Sequence, residues 1–228
     1  MCGRYALFGP SSRLREQFGI QTEFEWAAAY NVAPSQTVPV IRAAQGGRRE
    51  IVLAQWGLLS SPVPAIGKEP RPVNAKLETA AGKPLFRAAF RHSRVLVPAC
   101  GFYEWRRGPD SKQPYFIRPP GGESLFGFGG LLAHRDGPDE PVRSFAILTT
   151  AANESVAPIH ERMPVIVAPE HYAAWLDPEV TDVDLLVDIA QRYDPERIEA
   201  FPVDRAVGNA RAQGPQLVAP ILPAKDQP

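Results

Sequence analysis

Short runs rich in β-branched and aromatic residues, each bounded by Pro, Gly or Ser, recur along the chain and constrain its fold more than any other feature. Runs of this length and composition are typical of β-strands. Segments 169–176 and 182–193 have the apolar spacing of helices, and segment 10–19 predicts a helix that Ser11 or Ser12 caps and Gly19 ends. The predicted strands are RYALF (4–8), EIVLAQWGLL (50–59), SRVLVP (93–98), SLFGFGGLLA (124–133), RSFAILTT (143–150) and MPVIVA (163–168).

The order of these segments excludes one common architecture. The predicted strands outnumber the predicted helices and do not alternate with them regularly, as they do in a doubly wound βαβ fold. The sequence therefore predicts a mixed α+β fold. A chain of 228 residues suits one domain or two small ones,. We predict a single domain over 1–215, followed by a proline-rich, loosely ordered tail over 216–228.

Composition predicts the cellular compartment of the protein but does not identify its binding partner. Lys plus Arg and Asp plus Glu number 25 each, so the bulk field does not favour nucleic acid, although a local basic cleft is compatible with it. The first thirty residues hold charged side chains and no apolar signal-peptide core, and no uncharged apolar stretch reaches the roughly 18 residues of a membrane helix. Two cysteines do not make a disulfide framework,. We expect a soluble, cytoplasmic protein with no membrane contact.

The sequence predicts no metal site and no cofactor. The segment GFGG (127–130) lacks the Lys and the Ser or Thr of a phosphate-binding loop. The cysteines Cys2 and Cys100 form no CxxC motif, and we assign no chemistry to Cys100. The four histidines show no HxxxH spacing; they are His92, His134, His160 and His171.

Four polar residues stand where chemistry is plausible. Cys2 follows the initiator methionine, whose removal leaves an amine and a thiol on neighbouring carbons. Glu104 lies among aromatic residues, where a carboxylate is either paired with a cation or tuned for proton transfer. His160 precedes a predicted strand, as a packed core residue or a proton shuttle. Asn74 is interpreted as a turn residue or helix cap, with Glu78 in the helix that follows. Taken singly, these residues leave both an N-terminal nucleophile enzyme and purely structural roles open.

Eight segments carry a more specific signal when they are taken in order. They are MCGRY (1–5), YNVAPSQTVPVI (30–41), WGLL (56–59), VNAKLET (73–79), RVLVPACGFYEW (94–105), FAILTTAAN (145–153), IHERMPVIV (159–167) and VGNARAQGPQLV (207–218). Together they resemble the abasic-site processing family, the SRAP proteins, also called SOS response-associated peptidases. The resemblance runs from residue 2 to about residue 215.

The resemblance implies a fold and a set of working residues. The implied fold is α+β, with a mixed, mainly antiparallel β-barrel-like sheet core, peripheral helices and a cleft for single-stranded DNA. Catalytic roles carry over to Cys2, Asn74, Glu104 and His160, each inside its matching motif.

The resemblance also implies contacts with DNA phosphates at Arg4, Lys76 and Arg162. The family usually has arginine where this chain has Lys76, and lysine keeps the charge but loses the two-pronged phosphate grip. The family also commonly places a tryptophan after the WGL segment, where this chain reads SSPVPAIGKEP (60–70). Both departures bear on how the chain holds DNA.

The implied function is that of an abasic-site sensor in DNA repair and the SOS response. A terminal amine with a pKa of roughly 7.7–8 is partly unprotonated at neutral pH and condenses with the aldehyde of an open abasic site. The thiol of Cys2 then closes a thiazolidine ring. The implied partner is single-stranded DNA containing abasic sites, and the implied side activities are lyase and peptidase-type hydrolysis or reversal of the crosslink. We expect a monomer, nucleoid-associated in a bacterium.

Two alternatives remain open. N-terminal-nucleophile glutamine amidotransferases also begin Met-Cys-Gly, and the string RGPDS (107–111) is reminiscent of asparagine synthetases. That string lies far from Cys2, and we interpret it as a turn. The second alternative is a noncatalytic single-stranded DNA-binding module in which Cys2 is incidental; it predicts equal binding of intact and abasic strands.

Overall fold

The computed structural model describes residues 2–59, 71–109, 111–135 and 142–221. Its helices are α1 (Ser11–Phe18), α2 (Leu77–Ala80), α3 (Pro84–His92), α4 (Tyr172–Leu176) and α5 (Val183–Gln191). Its strands are β1 (Tyr5–Leu7), β2 (Ala29–Val32), β3 (Thr37–Ala43), β4 (Arg49–Trp56), β5 (Asn74–Lys76), β6 (Arg94–Ala99), β7 (Gly101–Arg107), β8 (Lys112–Arg118), β9 (Phe126–Arg135), β10 (Val142–Ala151), β11 (Arg162–Pro164), β12 (Ile166–Val167) and β13 (Glu199–Pro202).

Five strands close into a ring. Their order is β10, β4, β3, β6 and β9, and β9 pairs back onto β10. The β10–β4 pair is parallel, whereas the other pairs of the ring are antiparallel. A second sheet has the order β13, β8, β7, β1 and β2. The prediction of an α+β fold with a mainly antiparallel, barrel-like core is confirmed.

Aromatic side chains fill the interior between the ring and β1. Trp56 and Phe145 stack with ring centroids 6.3 Å apart, and Tyr5 packs on Trp56 at 5.4 Å. Buried rings of this size contribute a large share of the apolar area removed from water. Strand β1 serves two cores, because successive residues of a strand point to opposite faces. Tyr5 belongs to the main core, whereas Ala6 belongs to a smaller one.

Most predicted elements lie close to their predicted bounds. Gly19 ends helix α1, as predicted, and has the left-handed conformation with φ 68°. The prediction of a serine cap is wrong, because Pro10 stands at the N-cap. The predicted strand 163–168 is divided at Val165, which donates to Leu148 on β10 and accepts from Gly129 on β9. Helix α3 was not predicted from the sequence.

The C-terminal part of the described chain packs on the second sheet. Residues 215–218 form a short 3₁₀ turn, and Leu217 is fully buried in the smaller core. The backbone N–H of Ile221 donates to the carbonyl of Pro202 at 2.9 Å. The boundary at 215 stays a prediction. The rest of the predicted tail, 222–228, and the segment 60–70 lie outside the described residues. Within the described ranges, no helix is long and apolar enough to cross a membrane.

Candidate active site

Strand pairing brings Cys2 towards Glu104. β1 pairs antiparallel with β7, and the N–H of Tyr103 donates to the carbonyl of Arg4 at 3.0 Å. Because the strands run in opposite directions, the residues before Arg4 lie alongside those after Tyr103. Cys2 is fully buried and Glu104 is 3% exposed. Both side chains therefore lie in the protein interior.

Asn74 holds the backbone of Cys2. Its Nδ2 donates to the carbonyl oxygen of Cys2 at 2.8 Å, across 72 positions of sequence. The interpretation of Asn74 as a turn residue or helix cap is wrong, because its pairing with β10 makes it part of strand β5. Its Oδ1 is buried and accepts no hydrogen bond from any described residue. An acceptor is therefore left beside Cys2 for a further donor.

The imidazole of His160 faces the carboxylate of Glu104, with Nε2 and Oε2 3.9 Å apart. On the other side of the ring, Nδ1 lies 3.0 Å from the backbone N–H nitrogen of Arg162 and 3.1 Å from its carbonyl oxygen. The N–H donates to Nδ1 of a neutral ring protonated at Nε2, and the carbonyl accepts from Nδ1–H of the other neutral tautomer or of the protonated ring. The backbone of Arg162 therefore fits Nδ1 whether or not Nε2 carries a proton, which suits a group that gives up and regains a proton at Nε2.

Burial controls the protonation of two of these groups. Burial raises the pKa of the Cys2 thiol, and the neighbouring Glu104 carboxylate raises it further. The thiol therefore stays protonated at neutral pH, and a base must take its proton when the sulfur reacts. Burial likewise raises the pKa of Glu104, whereas the charge of His160 lowers it. Glu104 is therefore more basic than an exposed glutamate, as proton acceptance requires.

The three predicted phosphate-binding residues differ in exposure and in the partners of their charged groups. Lys76 is exposed on β5. Arg4 is partly buried, and its enclosed Nη1 has no hydrogen-bond partner among the described residues. The Arg162 side chain is 14% exposed and forms a two-pronged pair with Glu78, with Nη1–Oε1 at 2.5 Å and Nη2–Oε2 at 3.0 Å. Phosphate binding by Arg162 therefore stays a prediction, and its guanidinium is already paired within the protein.

Sequence reasoning assigned no role to Glu78 or Thr149. The Thr149 carbonyl accepts from Nη2 of Arg162 at 2.6 Å, so strand β10 and helix α2 both hold the same guanidinium. Glu78 lies inside the segment VNAKLET, which pointed to this region. Thr149 lies inside the segment FAILTTAAN, but the sequence did not indicate its contact with Arg162.

A separate groove lies elsewhere on the molecule. A groove of about 760 Å³ runs between the β3–β4 hairpin and α4, where Arg42, Arg48 and Leu176 contribute to its walls. None of the seven predicted site residues lines it. Buried titratable groups with a shifted pKa are candidates for a functional site, and Glu104 lies close enough to Cys2 to raise the pKa of its thiol. We therefore place the candidate active site around Cys2.

The fold and the site define a class of protein: a mixed α+β barrel whose second residue is a buried cysteine beside an amide, a carboxylate and an imidazole. A family model described as SOS response associated peptidase (SRAP) matches residues 1–210. The chain belongs to the SRAP family.

Relatives and solved structures agree with this assignment. The abasic site processing protein YoqW of Bacillus subtilis is 36% identical over 96% of this chain and 99% of its own length. YedK of Escherichia coli, which carries the same description, is 30% identical over 97% of this chain and all of its own. A crystal structure from Bacteroides thetaiotaomicron superposes with a TM-score of 0.84 at 23% identity, over 97% of this chain and 100% of that one, and shows the shared fold.

Proposed function

We propose that the protein processes abasic sites in single-stranded DNA by forming a thiazolidine crosslink between the freed amino-terminal Cys2 and the aldehyde of the lesion. The observation that carries the proposal is the 2.8 Å hydrogen bond from Asn74 to the Cys2 carbonyl, which fixes the second residue beside Glu104 and His160. The names of the relatives YoqW and YedK support abasic DNA as the substrate.

The first step forms a Schiff base. The open abasic sugar presents an aldehyde, and its C1′ is attacked by the Cys2 amine after Met1 has been removed. The nitrogen loses its protons, the carbonyl oxygen leaves as water, and a C=N bond forms. We assign to His160 the proton that the sugar ring oxygen takes up when the ring opens. We assign to Asn74 the orientation of the amine or of a sugar hydroxyl, through its Oδ1.

The second step closes the ring. The Cys2 sulfur attacks the C=N carbon. Glu104, to which we assign proton exchange with the Cys2 amine, carries the proton of the sulfur to the nitrogen. Because the attack is intramolecular, effective concentrations of order 10⁵ M or more are available to well-oriented groups. The net reaction releases one water molecule and makes one C–N bond and one C–S bond. Arg4 and Lys76 are proposed to hold the flanking phosphates.

Two side activities follow from the same intermediate. A Schiff base acidifies the hydrogen on C2′, so β-elimination breaks the C3′–O bond and gives lyase activity. Reversal of the crosslink adds water back across the ring carbon, and release of Met1 is a peptide hydrolysis. We propose that these reactions account for the peptidase description of the family.

The decisive experiment mixes methionine-processed protein with an oligonucleotide that carries one abasic site, followed by a denaturing gel. We expect a shifted band with wild type, none with Cys2→Ala, and none with an intact strand. Glu104→Ala and His160→Ala are expected to slow its formation by roughly 10² to 10⁴.

Borohydride separates the two adducts, which have equal mass. It adds two hydrogens to a Schiff base but leaves a thiazolidine unchanged, so Cys2→Ser is expected to give a product only after reduction. If native gels showed equal binding of intact and abasic DNA strands, and denaturant released both, the protein would be a noncatalytic binding module. Glutamine hydrolysis lost in Cys2→Ala would indicate an amidohydrolase.

A further inference from the structure

The pair between Glu78 and Arg162 joins two elements that flank the candidate site. Glu78 belongs to α2 and Arg162 to β11, and 84 positions of sequence separate them. Both carboxylate oxygens are used, and Nη2 of Arg162 also donates to the carbonyl of Thr149. A bidentate pair with an additional carbonyl acceptor fixes the direction of a guanidinium far better than a single contact.

The backbone of Arg162 contacts the imidazole of His160 directly. Its N–H and its carbonyl both face Nδ1 of the imidazole, at 3.0 and 3.1 Å. β11 is only three residues long, and its register against β10 places Arg162 opposite Ala151, at the end of the pairing. One further backbone hydrogen bond, from the Ala152 N–H to the Glu161 carbonyl at 3.0 Å, continues the pairing past Arg162. The side chain of Arg162, anchored to α2 and β10, adds a second constraint to this short ladder.

The burial of the two partners shows how this anchor differs from an ordinary surface pair. The Glu78 side chain is 44% exposed, whereas that of Arg162 is 14% exposed. Loss of the carboxylate would leave a largely buried guanidinium with the Thr149 contact alone. Such a cation turns towards water or another acceptor, and its backbone moves with it.

We propose that Glu78 is a positioning residue for His160, acting through Arg162: its carboxylate fixes the guanidinium, and the backbone of Arg162 then holds the imidazole with Nε2 towards Glu104. The effect on catalysis rests on the proposed function. The effect on the imidazole does not.

The experiment substitutes Glu78→Gln, which keeps size and polarity but removes the charge. The control is Glu50→Gln, because the Arg42–Glu50 pair is also a single Arg–Glu pair, at 2.7 Å with a carboxylate side chain 39% exposed. We expect Glu78→Gln to slow crosslinking about 10- to 100-fold, in the range of residues that orient a reacting group. Glu50→Gln is expected to react at the wild-type rate. Glu78→Asp, which keeps the charge at shorter reach, should fall between.

Two readouts distinguish positioning from general loss of structure. In a His160→Ala background, Glu78→Gln is expected to cost nothing further, because the group it orients is gone. Nitrogen-15 NMR of the free wild-type protein is expected to show His160 ring shifts that differ from those of an unconstrained imidazole, because Nδ1 is hydrogen-bonded to the backbone of Arg162. Glu78→Gln should move these shifts towards those of an unconstrained imidazole, and Glu50→Gln should match wild type.

Opposite results would overturn the proposal. If Glu78→Gln crosslinked normally and bound intact single strands more tightly, Glu78 would be a carboxylate that competes with phosphate for Arg162. An unchanged His160 spectrum in Glu78→Gln would equally exclude positioning. If wild type formed no crosslink, the proposed function would fail, and the NMR comparison would still test the coupling of Glu78 to His160.

Discussion

Glu104 shows, at the scale of one residue, how burial and catalysis make opposite demands. The side chain is 3% exposed, and burial raises its pKa. A carboxylate taken out of water is a stronger base, but its ionised form is held at a cost in folding free energy. Burial also raises the pKa of the Cys2 thiol, but the thiol is uncharged at neutral pH and carries no such cost.

The substitution Glu104→Gln is therefore expected to stabilise the protein at neutral pH while it slows crosslinking. Because the pKa of Glu104 is raised in the folded state, wild type loses stability as pH rises from the ordinary glutamate value, about 4.3, through the raised value. Glutamine does not titrate. Urea unfolding at pH 4 and pH 7.5 should show the variant gaining on wild type at the higher pH. A gain at pH 4 that vanished by pH 7.5 would show that the sign is wrong.

At the scale of elements, the close contact of β7 with β8 carries Glu104 to the site. Gly101 opens β7, and a Cβ there would lie 2.5 Å from the carbonyl oxygen of Ile117 and 2.6 Å from the ring of Phe116. Both neighbours belong to β8. Only a residue without a side chain lets the two strands approach so closely.

We predict that Gly101→Ala lowers the free energy of unfolding by about 1–3 kcal/mol, since a backbone atom and a packed ring must both shift. Gly208→Ala is the control, because a Cβ at Gly208 would meet nothing within 4 Å. Chemical denaturation of both variants measures the difference. Equal stability of Gly101→Ala and wild type would mean that β7 and β8 separate freely.

The sequence predicts the positions of individual helices and strands better than it predicts which of them contact one another. Apolar runs bounded by Gly, Pro or Ser predicted six of the strand segments and the end of α1 at Gly19, because these depend on local chemistry,. Six strands of the described chain were not predicted from the sequence: β2, β3, β5, β7, β8 and β13. The strand conformation of Asn74 and the ion pair of Glu78 with Arg162 were not predictable, since both depend on β10 and β11, far along the chain. The resemblance to a family named the residues to examine, whereas only the fold shows which of them contact one another.

On the scale of the whole molecule, the second core ties the C-terminal part of the described chain to the sheet that carries Cys2 and Glu104. Leu217 is buried with Ala6 of β1 and Tyr103 of β7. Asn31 adds a polar tie, because its Nδ2 donates to the carbonyl oxygens of three residues of this part of the chain, at 2.9–3.2 Å: Val207, Asn209 and Ala212.

We expect Leu217→Ala to cost about 2–5 kcal/mol of unfolding free energy, as for other fully buried leucines. Leu185→Ala is the matched control; Leu185 is 43% exposed on α5, and its replacement should change stability by no more than about 0.5 kcal/mol. Thermal or urea unfolding compares the two. If Leu217→Ala cost as little as Leu185→Ala, a domain ending at residue 215 would be supported.

The closed ring also has a consequence for the order of events during synthesis. The ring closes only when β10 is present, and the site around Cys2 also requires Asn74, Glu104 and His160. Cys2 therefore cannot be enclosed until the ribosome has passed residue 160. At about 5–20 residues per second this takes roughly 8 to 30 s. That interval bounds the time available for the proposed removal of Met1. Because the topology completes the site late, the proposed removal of Met1 has time to occur before Cys2 is buried.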